Sequence, residues 1–303
     1  MLENLFAIFL YFSLGYLLKV FRIFDEQSSS AFINFIIYVA FPALVIYNIQ
    51  HLKLELSFLG YIALGWAVIV FSIFLSFLVG KILKLNQATL ASFMMMASFG
   101  NTSFLGIPFN MALLGEESVK YVIIFDQFAS FLPVVLLSPF ILAYGSSSEK
   151  IHIDWKKIIT FPPFIALILS LMIKPFIKIP FFIMDSLHLL GLTVVPLALF
   201  SIGINLRFSH LRERIRDISF VIFLKMILVP SLVILIFYVL GIKLDLFGRV
   251  VINEIAMPPM VLASILVLGA KLDKDLAVSS VAAGIIFSFI SVPIIFKIAN
   301  LLF

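Results

Sequence analysis

Apolar residues run along this chain in ten long stretches separated by short polar connections. The stretches cover residues 4–21, 31–50, 56–80, 88–114, 119–144, 158–178, 183–206, 218–241, 247–270 and 275–300. A helix rises about 1.5 Å per residue and needs roughly 20 apolar residues to cross the hydrocarbon core. The pattern therefore predicts an all-α polytopic membrane protein with ten transmembrane helices. The longest polar connection, residues 145–157 (GSSSEKIHIDWKK), divides the chain into halves 1–144 and 158–303 of five spans each. The first stretch follows directly on Met1-Leu2-Glu3-Asn4, without a basic n-region before it or a small-residue cleavage site after it. It reads as a retained span rather than a signal peptide.

Prolines and glycines relate the two halves. Pro42 and Pro196, Gly115 and Gly269, and Pro139 and Pro293 each lie 154 residues apart, in corresponding spans. An odd number of spans per half makes the second half enter the membrane upside down, which is an inverted repeat of the kind secondary transporters use.

Spans 4 and 9 are interrupted by residues that break helices. Span 4 reads MMMASFGNTSFLGIPFNMALLG, with Gly100, Asn101, Thr102, Ser103, Gly106 and Pro108 in mid-stretch. Span 9 reads VVINEIAMPPMVLASILVLG and carries Met257, Pro258 and Pro259 at its centre. Non-helical backbone at membrane depth survives only where it is buried in protein or lines a cavity. Two kinks packed against neighbours would also fit either span alone. Two breaks at matching places in inverted halves point instead to a substrate site, because half-helix ends present unpaired N–H and C=O groups.

Three ionisable residues lie inside spans: Asp126, beside Gln127 in span 5, Lys225 in span 8 and Glu254 in span 9. A charge at mid-membrane is expensive, which marks these residues for ion or proton coupling. Each is also near enough to an interface for Lys225 to snorkel inward and Glu254 outward. If Lys225 stays buried it can act as a built-in cation within reach of the two carboxylates, so that transport needs no sodium. Asn48 and Asn205 read as hydrogen-bonding residues at helix ends or between helices, and Met94-Met95-Met96 as lipid-facing and packing surface.

Composition narrows the picture. The chain of 303 residues is 63% hydrophobic and 12% charged, with mean hydropathy +1.22, and leaves no soluble surface to speak of. It has no cysteine, and its histidines at 51, 152, 188 and 210 lie scattered in or near connections, so neither a thiolate site nor a histidine metal cluster is expected. The net charge of +5 comes from short loops rather than a basic face for nucleic acid. The connections after spans 1, 3, 5, 7 and 9 hold 13 of the 21 Lys and Arg, which places that side in the cytoplasm and both termini outside. No GxSxG, HExxH or phosphate-binding glycine loop is present, and no cofactor is implied.

Four segments resemble the auxin efflux carrier family: FPALVIYNI (41–49), GNTSFLGIPF (100–109), VPLALFSIGINL (195–206) and AMPPMVLASILVLG (256–269). The resemblance extends over essentially the whole chain and is similar to bacterial members, which implies the cytoplasmic membrane. It implies the fold of the sodium/bile-acid symporters. In that fold spans 1, 2, 6 and 7 form a scaffold, often dimeric, while spans 3–5 and 8–10 form a moving transport domain. Spans 4 and 9 cross at their prolines, here Asn101 to Pro108 and Met257 to Pro259. The implied substrates are small organic anions, auxin-like or malate-like carboxylates, carried by elevator-type alternating access. Two other readings remain: a cation/proton antiporter or sodium-coupled symporter of the same fold, and a membrane-embedded receptor or enzyme.

Overall fold

The computed structural model describes residues 2–51, 55–146, 160, 162–205 and 214–303. Most of the 145–157 connection lies outside them, as do His152, His210, Arg207 and Arg212. Every named element among the described residues is a helix. Among the described residues six helices are long and apolar enough to cross a membrane: Gln27–His51, Phe58–Ile82, Glu116–Ser146, Phe181–Asn205, Ile215–Val239 and Lys274–Leu302. Shorter apolar helices, Phe9–Val20, Thr102–Leu114 and Pro162–Ile173, fall within three further stretches of the sequence pattern.

The chain divides into two compact units. The first gathers residues 1–55, 107–123 and 154–206; the second gathers 56–106, 124–153 and 207–303. Residues 107–123, which the resemblance groups with spans 4 and 5, thus cluster with the first unit.

In the first unit, helix Leu2–Val20 packs along helix Val194–Asn205. The two backbones meet where side chains are absent: a Cβ on Gly15 would overlap the Phe200 carbonyl, and one on Gly203 the Phe12 carbonyl. Close approach of small residues is how helices associate where lipid removes the hydrophobic drive. Helix Phe41–His51 packs between helices Pro162–Ile173 and Phe181–Leu192. Lys174 Nζ donates to the Ile49 and Gln50 carbonyls at 2.7 Å each, a cation on the carbonyls of a helix C-terminus. His188 sits within helix Phe181–Leu192 rather than in a connection, with its ring stacked on Tyr47 at 4.4 Å. Asn48 bonds the Leu44 carbonyl of its own helix, and Asn205 bonds Ser29 Oγ and the Ser201 carbonyl.

In the second unit, helix Gln87–Ser98 is buried from Thr89 to Ser98 and packs on Ser57–Ile82, Leu132–Ser146 and Lys274–Leu302. The methionine run is packing surface only: Met94, Met95 and Met96 are all buried in the unit's apolar core, where unbranched thioethers fill irregular gaps. Asp273 caps helix Lys274–Leu302 through the Leu276 N–H and also accepts from Thr89 Oγ1 at 2.8 Å and Arg214 at 2.8 Å.

Among the described residues four π-helical turns interrupt the spans, at Ile36–Ala40, Thr102–Gly106, Asp126–Phe131 and Phe223–Leu228. Each ends two residues before a proline: Pro42, Pro108, Pro133 and Pro230. A proline cannot donate to the carbonyl four residues back, and its ring collides with that carbonyl. The wider turn removes the collision by shifting the preceding N–H one residue further. Phe41 bonds Ile36, Leu132 bonds Gln127 and Val229 bonds Leu224, all five residues back. Pro42 and Pro196, matched by the repeat offset, sit in different settings. Pro42 follows a π turn inside a continuous span, whereas Pro196 lies in the first turn of helix Val194–Asn205.

Candidate functional site

Residues 99–106 of span 4 and the interruption of span 9 lie within the second unit and meet there. Helix Gln87–Ser98 ends at Phe99, whose backbone is extended (φ −100°, ψ 128°), and helix Val261–Gly269 begins after Met260, also extended (φ −72°, ψ 130°). Gly100 and Pro259 form an antiparallel bridge. Asn101 N–H donates to the Pro258 carbonyl at 2.8 Å and Met260 N–H to the Phe99 carbonyl at 2.9 Å. The two broken strands of backbone thus satisfy each other, which is what non-helical chain at membrane depth requires. Gly284 of helix Lys274–Leu302 makes room for the prolines: a Cβ there would stand 2.5 Å from Pro259 Cδ and 3.0 Å from Pro258 Cβ.

Lys225 completes this junction. In an unbroken helix the Ile255 carbonyl would accept from residue 259, but Pro259 has no N–H. The Lys225 ammonium takes that place, 2.6 Å from the Ile255 oxygen. Lys225 is 4% exposed, so it does not snorkel to the surface. A Cβ on Gly100 would lie 3.0 Å from Lys225 Nζ, and one on Gly106 would overlap the Glu254 carboxylate. Both glycines therefore stand where charged groups approach backbone. Glu254 is buried too, at 1% exposure, rather than reaching outward.

A narrow cavity opens beside the junction, with Lys225, Glu254, Gly100 and Thr102 in its wall. Ser72, Ser98 and Ser130 line it as well. These serines were missed in the sequence, although Gly65, Val68, Ile69 and Ser72 share one helix face at i, i+3, i+4, i+7 spacing. Small and hydroxylic residues are common on membrane helix interfaces, so that signal discriminates poorly. The Ser130 hydroxyl and Asn101 Nδ2 are buried polar atoms without a hydrogen-bond partner among the described residues.

Asp126 heads its own π turn and is 1% exposed. Thr102 Oγ1 and Ser103 Oγ donate to its Oδ1 at 2.5 and 2.6 Å, and Gln127 Nε2 donates to its Oδ2 at 2.6 Å. Thr102 therefore touches both the cavity and this carboxylate. The expected network around Lys225 is divided accordingly: Lys225 shares the cavity with Glu254, while Asp126 is held by neutral donors. Of the residues picked out in the sequence, Gly100, Asn101, Thr102, Ser103, Gly106, Met257, Pro258, Pro259, Asp126, Gln127, Lys225 and Glu254 all belong to the second unit. Pro108 stands in helix Ile107–Leu114 of the first unit.

Comparison with known proteins shows the family of the chain. A family model described as membrane transport protein matches residues 1–296. The chain belongs to the membrane transport protein family. This is the auxin efflux carrier family that the sequence resembles, and its members are integral, multi-pass membrane transporters rather than enzymes. A transporter of Methanocaldococcus jannaschii, named as uncharacterized, is 27% identical over 288 residues, covering 92% of each chain. Another, of Methanothermobacter thermautotrophicus, is 27% identical over 297 residues and covers 96% of each. A protein of Rhizobium meliloti whose name proposes malonate transport is 26% identical over 235 residues, covering 73% of this chain and 72% of its own.

Proposed function

We propose that this member of the family is a secondary transporter or facilitator of small carboxylate anions, bound at the junction of spans 4 and 9. The observation that carries the reading is a buried cation, Lys225, in the wall of a cavity built from interrupted helices. In the same wall the hydroxyls of Thr102 and Ser130 can donate to a carboxylate, and Asn101, next in the chain to Gly100 of that wall, holds a buried Nδ2 without a partner among the described residues. The relative named for malonate transport supports a short dicarboxylate.

The ten-span inverted repeat and the elevator movement belong to the same proposal. Their support is the separate clustering of residues 1–55 and 154–206 from 56–106, 124–153 and 207–303, although residues 107–123, expected in the transport domain, cluster with the first set. Because Lys225 supplies a fixed positive charge, transport proceeds without sodium. Counterflow of labelled malonate into proteoliposomes, with sodium replaced by choline, tests the reading. Strict dependence on sodium, or no exchange of any short mono- or dicarboxylate, would sink it. The buried carboxylates Asp126 and Glu254 favour a second reading, a cation/proton antiporter, which predicts proton release on cation addition instead.

A further inference from the structure

The charges buried in the second unit do not balance. Among its described residues the buried ionisable groups are Asp126, Asp217, Lys225 and Glu254. Asp217 is answered by Arg216 at 2.9 Å and Arg214 at 3.9 Å. Two carboxylates, Asp126 and Glu254, are left with the ammonium of Lys225. Lys225 and Glu254 line one cavity, whereas the hydrogen bonds to Asp126 come from neutral groups.

The elements packed on the Asp126–Phe131 turn add no cation to it among the described residues. Helix Ser57–Ile82 carries Tyr61, whose hydroxyl is bonded to Asp245, and Lys81, whose ammonium lies over the rings of Phe77 and Tyr144. Helix Leu132–Ser146 contributes Tyr144. An ionised carboxylate at membrane depth with neutral donors alone is costly. An anion entering the cavity would set a third negative charge against one positive charge.

Building on the anion-carrier reading, we infer that Asp126 binds a proton together with each anion and releases it with the anion, so that the cycle is proton/anion symport. The proton comes from water on the loading side, forms an O–H bond on Asp126, and returns to water on the other side. The cage around Asp126 accommodates both states. Two of its donors are hydroxyls that rotate, and the third is an amide whose Oε1 has no partner here. With the Gln127 amide turned over, a protonated Oδ2 donates to Oε1. A neutral carboxyl holds the two hydroxyls less strongly than a carboxylate does, so the Thr102 hydroxyl can turn into the cavity toward the anion. Thr102 is thus the physical link between proton and substrate.

The test uses purified protein in proteoliposomes with choline in place of sodium and labelled malonate as probe. An acid-outside gradient of one pH unit should drive about tenfold accumulation at zero membrane potential for one proton per anion. Asp126→Asn should abolish gradient-driven accumulation while malonate exchange persists at a reduced rate. Wild-type vesicles that exchange malonate but gain nothing from the gradient would overturn the inference, and this arm needs no variant. So would an Asp126→Asn protein that still accumulates. Infrared difference titration of wild type against Asp126→Asn gives a readout independent of substrate. A carboxylic-acid band that titrates across the physiological range supports the proton site even if malonate is not carried, in which case the carboxylate reading fails by itself. Its absence overturns the inference.

Discussion

At Asn101, backbone and side chain are engaged in different tasks. The backbone N–H holds the junction through the Pro258 carbonyl, while side-chain Nδ2 is buried without a partner among the described residues. Replacing Asn101 by Ala leaves the junction's hydrogen bonds in place, so expression and thermal stability should stay near wild type. Affinity should fall about 10- to 100-fold, the worth of roughly 1.5–3 kcal/mol for a hydrogen bond to a charged group. Isothermal titration with the transported acid measures it, and unchanged affinity would remove Asn101 from the site. Lys225→Met is different, because the Ile255 carbonyl loses its only substitute for the missing proline donor. About 1–3 kcal/mol of stability should go with it, together with transport. A methionine variant of full activity would reduce Lys225 to a capping role.

Elements are shaped by where proline falls. Each π turn precedes a proline by two residues, and three of the four carry a residue proposed for the site: Thr102, Asp126 and Lys225. The widened turn rotates the side chains before it relative to those after it, and such turns recur at functional positions. Replacing Pro258 and Pro259 together by Ala restores both N–H groups and permits a continuous span 9. Transport should stop, and circular dichroism should show helix content equal to or above wild type; an active double variant would separate the break from function. In the first unit, Gly203→Val would drive a branched side chain into the Phe12 carbonyl. Overpacking of that kind costs about 1–3 kcal/mol, to be read as a lowered melting temperature in detergent.

For the whole molecule, orientation follows from the lysines and arginines of the connections. Lys84 stands exposed between helices Ser57–Ile82 and Gln87–Ser98, on the side proposed as cytoplasmic. The chain has no cysteine, so Lys84→Cys gives one label site without background. It should resist a membrane-impermeant thiol reagent in intact cells and react after permeabilisation; labelling from outside would reverse the proposed topology.

The sequence alone determined that lipid is the solvent, because 63% hydrophobic residues in stretches of membrane length leave no other way to hide them. It also determined where the spans break, since proline's missing N–H is a local property that needs no fold to be read. Its buried charges were legible as anomalies for the same reason. Their partners were not. Whether Lys225 snorkels or caps the Ile255 carbonyl depends on which helix stands beside it. Thr102 and Ser103 meet Asp126 across about 24 residues of chain. Gly100 pairs with Pro259 rather than at the repeat offset, because antiparallel crossing chains meet at a point that sequence spacing does not encode. Met94–Met96 were misjudged as partly lipid-facing since lipid and protein interior are equally apolar, and only packing tells them apart.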